Sequence, residues 1–241
     1  MVDVTDIPEE PEVKPEIICT GNTEIDKQLG GGIPKGSLTL IEGESDAGKS
    51  VLSQQIMFGA LNDQIRVIIF TTENTVKSLN NQMESLGLSI IDQILLGWIK
   101  IFPIESAKMK QTDTLETLIA GINAFPIYHL VIIDSLTPIL AHTGSEAIIV
   151  FFERCKKLCE EGRSIMVVAH TYAFNEQELI RLRSICDAHF RLRIEEVGDK
   201  LVKVLEVAKV RGAMKSTGNI LNFDVDPGIG MRVMPMGRAK A

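Results

Sequence analysis

The chain has 241 residues, 45% hydrophobic and 24% charged, which is enough for one large buried core. Its net charge of −7 argues against a protein that coats nucleic acid through bulk charge, while leaving room for a local basic face. No signal peptide or membrane-length apolar run is read, and Cys19, Cys155, Cys159 and Cys186, without C-x-x-C spacing, are expected as reduced, buried or half-buried thiols.

Residues 1–16 carry Asp, Glu and Pro with little apolar pattern, so a flexible acidic tail is expected there. Residues 17–241 show no linker and no internal repeat, and are expected to form one domain. Ile17–Leu29 has a mixed pattern closed by three glycines, and Pro34-Lys-Gly36 makes a turn. An apolar strand, Ser37–Glu42, follows and runs into the most informative stretch of the chain.

That stretch is Gly43-Glu-Ser-Asp-Ala-Gly-Lys-Ser50, the pattern G-x-x-x-x-G-K-[ST] between a strand and a helix, known as Walker A. Glycines accept positive φ and leave room for an anion, so backbone N–H groups can wrap a phosphate. A helix over Lys49–Leu61 would add its positive N-terminal dipole. We assign the whole segment to the phosphates: Gly43, Glu44, Ser45, Asp46, Ala47, Gly48, Lys49, Ser50 and Val51. Lys49 would reach the β- and γ-phosphates, and Ser50 would ligate Mg²⁺. Glu44 and Asp46 add negative charge where phosphate must sit, at small cost only if both side chains turn outward.

Arg66–Thr72 is predicted as a buried strand with Glu73 at its carboxyl end, where ligands bind in open α/β sheets. Glu73 is therefore either the base that orients an attacking water or a solvated loop carboxylate. Thr75–Leu86 is predicted helical, Trp98–Ile104 a short strand, and Thr112–Phe125 a helix capped by Thr112 or Asp113. His129–Ser135 is a second apolar strand ending in an acid, the Walker B arrangement, with Asp134 placed to hold Mg²⁺ opposite Ser50. Glu146–Glu161 is an amphipathic helix with Ile149, Phe152, Cys155 and Leu158 along its core side. Ser164–Ala169 is a third buried strand, and His170 at its end either senses the γ-phosphate or is a hydrogen-bonded strand-end histidine.

After a helix over Glu176–Cys186 the period changes to two: His189–Glu195 and Lys200–Val210 alternate, and Asn219–Val225 and Met231–Met234 are further short strands. The expected fold is α/β, a mainly parallel sheet flanked by helices and extended along one edge by antiparallel C-terminal strands. Lys209 and Arg211 fall on one face of the second alternating strand, with Lys203 further up it. By pattern alone this is a solvated edge.

Three acid- or polar-tipped strands around a phosphate-loop strand resemble the RecA-type core. Gly21-Asn-Thr-Glu-Ile-Asp-Lys-Gln-Leu-Gly-Gly-Gly-Ile-Pro-Lys-Gly-Ser37 and Lys209-Val-Arg-Gly212 are similar to the KaiC-like branch of it. Thr71-Thr-Glu-Asn74, Ile132-Ile-Asp-Ser135 and Val167-Val-Ala-His-Thr-Tyr-Ala-Phe174, in a single domain, resemble the member that serves the archaeal swimming filament, the archaellum. The resemblance implies ATP and Mg²⁺ at a subunit interface. It also implies a ring, hexameric, at the cytoplasmic side of the membrane beside a motor ATPase, a membrane platform and scaffold ring proteins. It gives Glu73 the catalytic role, and gives Lys209 and Arg211 contact with the neighbouring subunit's γ-phosphate. Thr72-Glu73 stands where KaiC proper often has two glutamates, and one domain where it has two. Whether ATP is hydrolysed slowly or only bound stays open, as does a fast motor ATPase. A recombinase-like DNA-binding protein is a third reading, disfavoured by the short acidic stretch Tyr172–Glu178.

Overall fold

A computed structural model describes residues 17–105, 113–141, 143–213 and 219–234. The expected tail and the cap residue Thr112 lie outside the described residues. In chain order the elements are β1 (Ile17–Ile18), α1 (Thr23–Gln28), β2 (Ile33–Pro34), β3 (Leu38–Gly43), α2 (Lys49–Asn62), β4 (Val67–Thr71), α3 (Val76–Ser85), α4 (Ile91–Leu95) and β5 (Ile99–Pro103). They continue as α5 (Asp113–Ala124), β6 (Leu130–Asp134), α6 (Thr137–Leu140), α7 (Ser145–Glu160), β7 (Ser164–His170), α8 (Glu176–Ile185), β8 (Ala188–Val197), β9 (Lys200–Val210), β10 (Ile220–Asp226) and β11 (Gly230–Met234).

Nine strands form one sheet in the order β11-β10-β9-β8-β3-β7-β6-β4-β5. Continuous apolar runs occupy its centre. Every residue of β3, β4 and β6 is buried, because helices cover both faces. One face packs Ile41, Ile69, Ile132 and Val168 against Leu52, Ile56 and Ala60 of α2. The other packs Leu40, Val131, Ile133 and Val167 against Ile119 of α5 and Ile149 and Phe152 of α7. Each such side chain, fully buried, contributes on the order of 2 kcal/mol.

β8 runs parallel to β3, and only β9, β10 and β11 continue antiparallel, so the change of direction falls one strand later than the alternating pattern implies. Three short helices, α1, α4 and α6, are additions to the expected elements. Ile91, Leu95 and Leu96 at α4 are exposed, so no amphipathic stripe announces it. α2 is buried nearly all round rather than on one face, since β11 and residues 18–21 cover the side away from the sheet.

Parallel register aligns the carboxyl ends. Gly43 pairs with His170 and Leu192, and Asp134 pairs with Val168 and Thr71. Residues more than a hundred apart in sequence therefore meet at one rim of the sheet.

Candidate functional site

At that rim β3 ends in Gly43. A Cβ there would stand 2.3 Å from the Leu192 carbonyl oxygen, so glycine lets β8 lie against the start of the loop. The loop turns through Asp46 (φ 58°) and Gly48 (φ 94°). Asp46 is a non-glycine residue in left-handed backbone, a conformation Asp tolerates better than most. A side chain at Gly48 would also meet the Phe223 ring at 3.0 Å. Gly48 is the N-cap of α2 and no side chain caps that end, which leaves the first N–H groups free of a side-chain acceptor.

Beside the loop lies a cavity of about 570 Å³, within the range of nucleotide-sized sites. It is lined by Ser45, Asp46, Gly48, Lys49, Ser50, Val51, Glu73, Asp134 and His170, all expected, together with Asn74, Gln82, Ser135, Lys203 and Val225. Of the nine loop residues assigned to phosphate, Gly43, Glu44 and Ala47 do not line it. Ala47 is fully buried in the core, and Glu44 donates its N–H to the Leu192 carbonyl at 3.3 Å. The Glu44 side chain is exposed. Asp46 is exposed too, but it remains on the cavity wall.

The Lys49 ammonium donates to the Glu44 carbonyl and lies 3.3 Å from His170 Nδ1. An ammonium can only donate, so Nδ1 accepts and the ring carries its proton on Nε2. Burial lowers the Lys49 pKa, while Glu73, Asp134, Asp46 and Glu44 pull it upward. Burial and then the Lys49 charge lower His170, which favours the neutral ring this contact needs. His170 also stacks on Tyr172, ring centroids 4.9 Å apart, and its backbone N–H donates to Thr137 Oγ1 at 2.8 Å.

Asp134 is buried at the tip of β6. Its Oδ1 accepts from Ser50 Oγ at 3.2 Å and its Oδ2 from Ser53 Oγ at 2.9 Å. Burial and then Glu73 push its pKa up to about 6, against the two hydroxyl bonds and Lys49. Glu73 stands exposed across the cavity, its backbone N–H on Thr71 Oγ1 at 3.2 Å. A hydroxyl and a carboxylate in contact, with a second carboxylate facing them, form an all-oxygen set of the kind hard divalent cations take, so the residues fit Mg²⁺.

Lys203 corrects the sequence reading. It is not on a solvated edge: its aliphatic stem lies against the loop, 3.8 Å from where a Gly48 Cβ would be, and it lines the cavity. Val225 arrives from β10, a pairing no local pattern announces. Lys209 and Arg211, in contrast, are not on this rim. β9 runs antiparallel to β8, so Lys209 sits beside His189 at the opposite end of the sheet, and Arg211 lies in the turn just past the strand. The Lys209 ammonium is seated on the last carbonyls of α8, Arg183 O at 2.9 Å and Cys186 O at 2.5 Å, and Arg211 Nη2 reaches Ser184 O at 3.3 Å. The stretch weighed as a DNA-binding loop is a three-residue turn, Thr171–Ala173, followed by α8, whose cap Asn175 accepts from the Glu178 N–H at 2.9 Å.

Fold and rim together define a protein of the RecA-like class. The chain belongs to the KaiC family of ATPases, whose description matches residues 18–238. It is 31% identical over 229 residues, 93% of this chain and 100% of the relative, to the archaeal flagellar ATP-binding protein FlaH of Sulfolobus acidocaldarius. To FlaH of Methanocaldococcus jannaschii it is 30% identical over 217 residues, 87% of this chain and 91% of the relative. The crystal structure of the M. jannaschii flagellar accessory protein FlaH superposes with a TM-score of 0.80 at 27% identity, covering 91% of this chain and 99% of that one.

Proposed function

We propose that residues 17–241 form one ATP-binding domain that serves the archaellum machinery, as its FlaH relatives are named for doing. ATP with Mg²⁺ would lie in the rim cavity, the phosphates on the loop 43–51 and the cation held by Ser50 and Asp134. Mg²⁺ supplies charge neutralisation of the phosphates there. The observation that carries this reading is the meeting of Ser50 and Asp134 at 3.2 Å beneath an uncapped helix N-terminus, with Lys49 alongside.

The chain's own residues then take distinct parts. Lys49 would exchange the Glu44 carbonyl and the His170 ring for phosphate oxygens, freeing His170 to report whether phosphate is present. Glu73, exposed and facing the cavity, would orient water. Lys209 and Arg211 are too far from this chain's own loop to serve it, which supports their use on a neighbouring subunit's ATP in a ring, hexameric by resemblance. Such a ring would sit at the cytoplasmic face of the membrane beside the motor ATPase, the membrane platform and the scaffold ring proteins. No helix among the described residues is long and apolar enough to cross a membrane, so contact through those partners is the route proposed. ATP then acts chiefly as a ligand that shapes the ring, with slow turnover or none.

The test is calorimetry of ATP, with and without Mg²⁺, on the wild type and on Asp134→Asn. Loss of the Mg²⁺-dependent part of the affinity in the variant is the expected result. Equal Mg²⁺ dependence in both would remove Asp134 from the cation site. Steady-state turnover with the partner proteins separates a regulator from a fast motor.

A further inference from the structure

One buried charge cluster is left over by the nucleotide site. Glu42 is the residue of β3 immediately before Gly43, and it is 0% exposed. Its Oε1 accepts from His189 Nε2 at 2.7 Å and from the Arg183 guanidinium, Nε at 3.1 Å and Nη2 at 2.5 Å. Its Oε2 is buried without a hydrogen-bond partner. A carboxylate placed this way is costly unless its partners are held.

Arg183 has a second attachment. Its side chain is bound to Glu42, and its backbone carbonyl accepts from the Lys209 ammonium at 2.9 Å. The other end of β3 is tied to the same junction. Asp187 Oδ2 accepts from the Leu38 N–H at 2.9 Å, and the Asp187 carbonyl accepts from the Arg211 N–H at 2.9 Å. Lys156 neutralises Asp187 with two contacts of 2.8 Å. The strand that delivers the phosphate loop is thus clamped at both ends to the segment that seats Lys209 and Arg211.

We propose that Arg183 and Glu42 are positioning residues: their ion pair fixes the end of α8 against β3 and so holds Lys209 and Arg211 in the placement with which they reach a neighbouring subunit. This rests on the reading that those two cations act in trans. Through the pair, the loop that holds one ATP and the cations that meet the next become parts of one rigid unit.

The experiment uses the full chain and the variants Arg183→Ala, Arg183→Lys and Glu42→Gln, each first shown folded by its melting transition. ATP affinity is measured at a dilution where the protein is monomeric, and ATP–Mg²⁺-induced self-association by analytical ultracentrifugation. We expect monomer affinity within about twofold of wild type in all three, association weakened about tenfold or more in Arg183→Ala and Glu42→Gln, and partial recovery in Arg183→Lys. A pair with only a structural role would lower the melting temperature and leave association of the folded protein unchanged; that result overturns the proposal. If the wild type itself does not associate with ATP, the trans reading fails, and the seat is then read directly from the Lys209 ammonium resonance in ¹⁵N-lysine-labelled protein. Its loss from the slow-exchanging set in Arg183→Ala upholds the positioning role, and its persistence overturns it.

Discussion

At the scale of the residue, the loop from Gly43 to Ser50 was legible as a turn from strand into helix, because Gly48 falls where the backbone takes positive φ and α2 begins at Lys49. Lys49→Ala should lower ATP affinity about a hundredfold, the worth of a charge-assisted hydrogen bond of up to about 3 kcal/mol, as titration calorimetry would show. On the proposed reading, in which the exposed Glu73 carboxylate would act on water and not on the bound nucleotide, Glu73→Gln should bind ATP as the wild type does while any hydrolysis drops about a hundredfold or more. A single-turnover assay that found wild-type hydrolysis in this variant would remove Glu73 from the chemistry. Lys203 was read as part of a solvated edge because its strand alternates just as an exposed edge does; in the structure it and the Phe223 ring of β10 lie against Gly48 of the loop.

At the scale of the element, the long strands and helices were readable from their periods, while α1, α4 and α6 were not, being too short to complete a stripe. The direction of β8 was hidden for a different reason. Alternation reports one covered face, and a parallel strand at the margin of a core has the same signature as an antiparallel one. α2 gives a sharp test of its close packing. A Cβ at Gly59 would stand 2.2 Å from the Cys19 carbonyl oxygen and 2.4 Å from the Thr20 carbonyl carbon. Gly59→Ala should therefore destabilise the protein by about 1–3 kcal/mol in urea unfolding, although alanine is the better helix former. The clamp on β3 makes a pH prediction. Burial alone would raise the Glu42 pKa, but the hydrogen bonds from His189 and Arg183 win and hold it below its ordinary 4.5. A depressed acid contributes stability above its unfolded pKa and loses it as pH falls toward the folded one. The wild type should thus lose stability below about pH 4.5 more steeply than Glu42→Gln, a difference that acid titrations of the urea midpoint would reveal.

At the scale of the whole molecule, the cations of β9 stand at two ends of the sheet, and sequence alone could not separate them because Lys203 and Lys209 lie on the same strand. Lys203 belongs to the rim with the loop; Lys209, six residues on, belongs to the far end with Arg211. ATP-induced assembly should be reduced in the Lys209→Ala/Arg211→Ala double variant, with the melting temperature little changed, since Arg211 is exposed and Lys209 half-buried. Equal sedimentation of double variant and wild type with ATP and Mg²⁺ would sink the trans role. The separation of the ends also governs what mixtures can do. If each junction draws its loop from one copy and its cations from the next, two defective chains can repair one another. A Lys49→Ala chain keeps its Lys209 and Arg211, and a chain lacking those two keeps its loop. Neither should assemble with ATP alone, yet an equimolar mixture should form heterodimers with one sound junction each. Those pairs should stop at two, because the outward-facing surfaces left over are both the damaged ones.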